Sequence, residues 1–359
     1  MDLPVGTSRW DQIDTYQKVQ SIGEGGQGSC VLLRRSRDNK LMVRKTITRP
    51  KLSQGIPLEI RILRDILPTH RRIANLYHAY TFPSQTELYL EYCDAGDLHD
   101  LIDRYAAHRT PVPESFLWHV FIQLAEALAF IHDGWSIEDT PSAATRSRPA
   151  WNRVIHRDIK PANVFLIFRT HHRFQSSYPD IKLGDFGLAA VTTDPAHTAD
   201  SYCGTFAWQP PELPEATAEG DVWSLGAVVH ALAHEGSPPL GEIPPRWPRT
   251  RSSDERWDMD PDARAPRLIN DTYSAVLERW MLKTFRRDPA RRVSSMELVE
   301  QMAPEGRRRM ARQWWPLRRW ALEENTDQGR GRHIALRQAF CNDREFFPLL
   351  PERLLRQDR

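Results

Sequence analysis

The stretch Val154-Ile155-His156-Arg157-Asp158-Ile159-Lys160-Pro161-Ala162-Asn163-Val164-Phe165 constrains this chain more than any other. It sets an aspartate, a lysine and an asparagine at close spacing between two apolar flanks. A second acidic point follows at Asp185-Phe186-Gly187. Either alone reads as a charged surface turn. Together they describe one site with a proton acceptor, a cation and two oxygen ligands for a metal. Such a set suits phosphoryl transfer, where positioning and charge neutralisation do most of the catalysis.

The order His-Arg-Asp-Ile-Lys-Pro-x-Asn and then Asp-Phe-Gly resembles the catalytic core of eukaryotic Ser/Thr protein kinases. The other parts of that pattern stand in the right order over residues 16–303. The resemblance therefore implies an α+β, bilobal kinase fold, with a β-rich small lobe at about 16–93 and a mainly helical large lobe at about 94–303. Residues 1–15 read as a lead-in. Residues 304–359 read as an Arg/Trp-rich C-terminal extension. Within the family the chain looks most like the NIMA-related and similar fungal-type kinases.

Composition is compatible with this. The chain has 359 residues, 40% hydrophobic and 27% charged, at a net charge of +2, which is ordinary for a globular protein with a sizeable core. Cys30, Cys93, Cys203 and Cys341 are scattered and form no CxxC pair, which points to a reducing, intracellular setting, cytoplasmic or nuclear. The start, Met1 to Trp10, has no apolar leader, and no apolar run is long enough to span a bilayer, so no membrane insertion is expected.

Taken in order, Tyr16 to Ser21 reads as a strand that runs into Ile22-Gly23-Glu24-Gly25-Gly26-Gln27-Gly28-Ser29-Cys30. A GxGxxG by itself is a weak signal. Because Val31-Leu32-Leu33 continues as a strand, a glycine-rich hairpin fits better than the opening of a dinucleotide-binding helix. Glycines allow close backbone approach to phosphate oxygens. Cys30 stands where the family pattern has valine. Lys45 lies in the strand Leu41 to Ile47, and alone it reads as a solvated charge. The resemblance makes it the lysine that holds the α- and β-phosphates, with Glu59 as its carboxylate partner. Pro57, two residues before Glu59, predicts a short helix that starts there. By the same resemblance Ile22, Gly23, Gly25, Gly28, Cys30, Val43, Leu90, the backbone of Glu91 to Cys93, Asp97 and Phe165 surround ATP, with Asp97 at the ribose.

The remaining roles are also carried by the resemblance. Asp158 orients the substrate hydroxyl and accepts its proton; Lys160 neutralises the transferring group; Asn163 and Asp185 hold Mg2+. His156 and Phe186, with Leu63 and Leu76, fit a packed column between lobes. Arg157 stands beside the catalytic aspartate, ready for a phosphate on the activation segment. Asp221 braces the catalytic loop. Thr205 contacts Asp158, and Glu212 in Pro-Pro-Glu pairs with Arg292. Ser201 occupies the usual phosphorylation position, with Thr192, Thr193 and Thr198 as alternatives.

Apolar residues from Phe116 to Ile131 recur at helical spacing and read as a core helix. Residues 135–153 and 168–180 read as surface loop insertions. His171 and His172 lack the Cys or Glu pattern of a metal site and read as solvated. In the extension, arginines interleaved with Trp314, Trp315 and Trp320 admit nucleic-acid contact or packing on the large lobe. Packing is favoured, because Trp314, Leu317, Trp320 and Ala321 fall on one face of a helix.

The expected function is transfer of the γ-phosphate of Mg-ATP to Ser/Thr hydroxyls of protein substrates. A pseudokinase scaffold that binds partners through its inserts and tail is the alternative. Nothing in the sequence sets the oligomeric state.

Overall fold

The computed structural model describes residues 15–25, 28–48, 56–136, 151–168, 178–192, 204–212, 217–239 and 272–322. Five strands form one antiparallel sheet in the order β1-β2-β3-β5-β4: β1 (Tyr16–Gly25), β2 (Gly28–Arg35), β3 (Leu41–Thr48), β4 (Leu76–Thr81) and β5 (Gln85–Glu91). β1 and β2 pair through the glycine-rich stretch as far as Gly25 opposite Gly28, so these glycines make a hairpin and not a helix start. Gly28 has φ +138, and a Cβ there would lie 1.8 Å from the Thr46 carbonyl oxygen. No other residue fits that crossing of β2 over β3.

Pro57 opens α1 (Leu58–Arg61), as its position in the sequence predicts. The helix then widens over Ile62–Ile66, and the Leu67 N–H donates to the Ile62 carbonyl at 2.8 Å. This element is short, and it buries Glu59, Ile60 and Ile62. Ile60 packs with Ala79 and Leu88, and with half-buried Leu76, under the sheet.

The large lobe is built on α3 (Glu114–Asp133), in which every residue from Ser115 to His132 is buried. Contrary to the sequence expectation that no run is long enough to span a bilayer, α3 has that length and composition; it is buried over that span, as the core helix of a folded lobe is. α2 (Leu98–Ala107) precedes it, capped by the Asp97 carboxylate, which accepts the Asp100 N–H. Thr217 caps α4 (Ala218–Ala233) in the same way. α5 (Ala275–Thr284), α6 (Ser295–Glu297) and α7 (Ala303–Arg312) complete the lobe. Two short antiparallel ribbons lie on α3: β6 (Val154–Ile155) with β9 (Ala190–Val191), and β7 (Val164–Ile167) with β8 (Asp180–Leu183). They deliver the two signature segments to the same edge of the lobe.

Two expectations need correction. The region 135–153 is not wholly a surface loop. Trp151 packs beneath Gly134 and edge-on to Phe130, its indole N–H donates to the Ile131 carbonyl, and Arg153 binds the His132 carbonyl and Asp133. The aromatic and the cation close the end of α3 from that side. The core of the insertion, like most of 168–180, lies outside the described residues. The second correction concerns the tryptophans of the extension. They do not share one helical face: only α8 (Arg319–Leu322) is helical after α7, and residues 313–318 run as an irregular strap. The packing itself is present, with Leu317 and Ala321 buried.

Candidate functional site

The register of β3 fixes the first half of the site. Lys45 pairs with Cys30 of β2 and with Leu88 of β5, and Val43 pairs with Leu90. The Lys45 ammonium donates to both Glu59 oxygens, at 3.0 and 2.9 Å, and to Asp185 Oδ1 at 2.7 Å. Lys45 and Glu59 are 9% and 3% exposed, so their charges face each other with little water between them. Burial works against the charge on Lys45, but the Glu59 and Asp185 carboxylates outweigh it and hold the ammonium protonated. For Asp185, burial acts upward and Lys45 pulls the carboxyl below its ordinary value. Cys30 lies in the same field; burial, more than the neighbouring charges, pushes its thiol up, so it is kept as a neutral, small apolar group.

Asp185 has left-handed backbone angles, φ 61 and ψ 69, at the entry to the turn Phe186–Leu188. The turn drives Phe186 into full burial, edge-on to His156 with ring centroids 4.8 Å apart. His156 in turn hydrogen-bonds the Gly184 carbonyl through Nε2 at 3.0 Å. Leu63 packs against the large-lobe core together with Phe186, while Leu76 packs in the small-lobe cluster.

The second half of the site is a net of hydrogen bonds centred on Asp158. Its Oδ1 accepts the Thr205 N–H and hydroxyl, both at 2.8 Å. Its Oδ2 lies 2.9 Å from the Lys160 ammonium and accepts Asn163 Nδ2 at 3.1 Å. Lys160 also donates to Thr205 Oγ1 at 2.7 Å, and Asn163 to the Asp158 carbonyl at 2.8 Å. Asp221 holds the loop from below. Its carboxylate accepts the His156 and Arg157 N–H groups at 2.7 and 2.9 Å and hydrogen-bonds His132 Nε2 at 3.0 Å.

Asn163 spends its amide N–H on Asp158, so its carbonyl oxygen is the atom that remains to ligate a metal. Asp185 gives one oxygen to Lys45 and its carboxylate also accepts the Gly187 N–H, and two carboxylate oxygens have lone pairs beyond these two bonds. Among the described residues there is no cluster of three His, Cys, Asp or Glu side chains that would enclose an ion. Two protein oxygens fit Mg2+, which keeps most of its octahedral shell for water and phosphate.

Glu212, which the resemblance pairs with Arg292, meets it in the structure. Arg292, with its side chain fully buried, forms a fork-to-fork pair with Glu212 at 2.5 and 2.8 Å and donates to the Glu219 carbonyl. Arg157 uses its Nε on the Leu188 carbonyl at 2.6 Å. Ser201 and Cys203 lie outside the described residues. At the edge of the cleft, Ile22 is exposed, Asp97 caps α2 and stands opposite Phe165 in an isolated antiparallel bridge, and Cys93 is buried.

Two buried charge clusters were not foreseen. Glu91, expected to act through its backbone, also pairs through its side chain with Lys182 of β8 at 2.8 Å and accepts Asn75 Nδ2 at 2.9 Å. Lys182 further donates to the Ile73 carbonyl. This joins the β5 exit to the strand that leads into Asp185. Arg72 binds Glu126 and Asp180, each at 2.8 Å, which ties the segment before β4 to α3 and β8. A lysine between Ile181 and Leu183 in a four-residue strand was a readable sign of a buried partner; nothing pointed to Arg72.

Comparison with known proteins supplies the family. The model of the protein kinase domain family matches residues 16–302. Among curated proteins the chain is 28% identical over 308 residues to the serine/threonine-protein kinase Nek2 of Mus musculus, covering 83% of this chain and 63% of the relative. It is 32% identical over 241 residues to the G2-specific protein kinase nim-1 of Neurospora crassa, covering 63% and 27%. It is 32% identical over 238 residues to the G2-specific protein kinase fin1 of Schizosaccharomyces pombe, covering 61% and 30%. The chain thus spans 63% of the first relative's length and less of the other two.

Proposed function

The chain belongs to the protein kinase family, and we propose that it transfers the γ-phosphoryl group of Mg-ATP to serine and threonine hydroxyls of protein substrates inside the cell. The observation that carries this reading is the meeting of Lys160 and Thr205 on the Asp158 carboxylate, while Lys45, Glu59 and Asp185 are already joined. The lysine two residues after the aspartate, bonded to that threonine, is the arrangement the resemblance links to Ser/Thr substrates.

In this reading the backbone of β1 and β2 covers the triphosphate, and Lys45 grips its α- and β-phosphates, oriented by Glu59. Asn163 and Asp185 hold the metal, which when bound neutralises the phosphate charge. Asp158 aligns the acceptor hydroxyl and takes its proton; Lys160 offsets negative charge on the moving group. The test is transfer of labelled γ-phosphate from Mg-ATP to a mixed Ser/Thr peptide pool. Incorporation is expected. Its absence from a folded, ATP-binding protein would favour the scaffold alternative.

Two further results are expected. Gly204 has φ +90, and a Cβ there would stand 2.3 Å from the Arg157 carbonyl oxygen. Gly204→Ala must push apart the two strands of chain that Thr205 and Asp158 join, and a misplacement of that size lowers transfer about 10²-fold. Initial rates beside an ATP titration check this, since nucleotide affinity is expected to persist.

Burial, outweighing its cap hydrogen bond, pushes the Asp97 carboxyl up to about 6. The raised value means that the folded state favours the protonated form. This group's contribution to stability is therefore present at low pH and is lost as pH rises through about 6. Binding has the opposite sign, because an ionised carboxylate accepts ribose hydroxyls more strongly. Affinity for adenosine, which carries no phosphate of its own to titrate, should rise about fivefold as Asp97 ionises. Calorimetry across that range should show the rise in the wild type and a flat profile in Asp97→Asn.

A further inference from the structure

The strap after α7 lies beyond the part of the chain that the kinase family model matches, which ends at residue 302. It is nevertheless seated in a built groove. The groove is formed by the C-terminal half of α2, the first turn of α3 and Tyr178, just ahead of β8. Trp320 stacks on His108 with ring centroids 3.8 Å apart and an 11° tilt, and lies 4.9 Å from the Tyr105 ring. The Arg104 guanidinium donates to the Ala321 carbonyl at 2.8 Å, and the Arg318 N–H donates to the Tyr105 hydroxyl at 3.0 Å. At the other end the Trp315 N–H donates to Ser115 Oγ at 3.1 Å, the Trp315 carbonyl accepts the Tyr178 hydroxyl, and Trp314 packs on the Tyr178 ring. Ser115 and Tyr178 are themselves joined at 2.6 Å, and Ser115, Tyr105 and Tyr178 are at most 5% exposed. Backbone groups of the strap thus satisfy side chains buried in the lobe. That is more specific than apolar residues resting on a surface.

What the strap grips matters for the cleft. α2 begins at the cleft edge, where its N-cap residue Asp97 stands opposite Phe165 of β7 in an isolated antiparallel bridge. Its other end, seven to eleven residues on, carries Arg104, Tyr105 and the C-cap His108, all three held by the strap. The link that precedes α2 is pinned to β7 by the Ala95 N–H to Leu166 carbonyl and Leu166 N–H to Gly96 carbonyl bonds. One end of α2 is therefore fixed at the nucleotide edge by β7, and its far end is fixed by the strap.

We propose that residues 313–322 are an intramolecular docking segment whose seat on α2 positions Asp97 and so sets the affinity of the cleft for nucleoside. This rests on the ATP-site reading above. The strap is then a working part of the enzyme and Trp320 a positioning residue, acting on nucleotide through α2 and Asp97.

The test uses the full chain. Trp320→Ala should weaken adenosine and ATP binding by calorimetry about tenfold, and raise KM for ATP with a smaller change in kcat. Trp320→Phe, which keeps a ring on His108, should restore most of the affinity, and Tyr105→Phe, a milder change, should move it in the same direction as Trp320→Ala. In an Asp97→Ala background Trp320→Ala should add nothing, because the two act along one route. Wild-type affinity in a folded Trp320→Ala protein, or additive losses in the double variant, would overturn the proposal while leaving the kinase reading intact. A wild type that binds neither adenosine nor ATP would overturn both.

Discussion

Asp158→Asn is expected to lower phosphoryl transfer about 10³- to 10⁴-fold while ATP still binds. The substitution keeps the shape of the side chain but removes the charge and the proton acceptor. Oδ1 and Oδ2 receive four donors in all, from Thr205 twice and from Lys160 and Asn163. An amide presents one oxygen and one NH2 group, so one side of that net faces donor to donor. Whichever way the amide turns, Thr205 or Lys160 loses its acceptor. The loss therefore exceeds what a missing base alone would cause, because the group that carries the acceptor hydroxyl's neighbours is also loosened. Lys45 and Glu59, proposed above to serve the nucleotide, make no contact with Asp158, so binding is expected to persist. Rates with labelled ATP, set beside a calorimetric ATP titration, separate the two. A variant that transfers at a tenth of the wild-type rate or better would remove Asp158 from its assigned role.

Which parts of this molecule were legible in advance follows from distance along the chain. The loop from His156 to Asn163 makes its own bonds: Asn163 caps the Asp158 carbonyl five residues back, so the motif nearly contains its structure. The glycine hairpin and the short helix at Pro57 were readable for the same local reason, since strand continuity after Gly28 and a proline at a first turn are constraints on neighbouring residues. Glu59, Asp221 and Arg292 are distant in sequence from their partners and came only through the family resemblance. The structure brings each of them to its expected partner. What escaped were pairings with neither source. Glu91 with Lys182, Arg72 with Glu126 and Asp180, and Trp151 under Gly134 join segments that only the tertiary fold makes adjacent. The strap shows the same limit in another form. Spacing at Trp314, Leu317, Trp320 and Ala321 matched a helix, yet buried hydroxyls at Ser115, Tyr105 and Tyr178 offered partners to its backbone, and a helix would have used those backbone groups itself.

Lys45→Met should separate catalysis from stability in a way that no other single change here does. Transfer is expected to fall about 10³-fold, since a cation aimed at the phosphates is lost from a water-poor site. Stability should also fall, by about 3–5 kcal/mol at neutral pH, because Glu59 is left as a buried, unpaired carboxylate. Glu59 is 3% exposed and already pushed upward by burial, with Lys45 the main opposing influence and the Asp185 carboxylate adding to the upward push. Without Lys45 its folded value rises further above its unfolded one. The folded variant then binds more protons than the unfolded chain, so stability must decline as pH rises and recover as pH is lowered. Denaturant titrations of Lys45→Met at pH values about one unit either side of neutral should show that slope, relative to the wild type. Adding Glu59→Gln removes the buried charge, and the double variant should regain much of the stability and lose the pH slope, yet gain no transfer activity. If the single variant were as stable as wild type at neutral pH, the pair would be contributing orientation alone. If the double variant recovered activity, Lys45 would not be the residue that meets the phosphates.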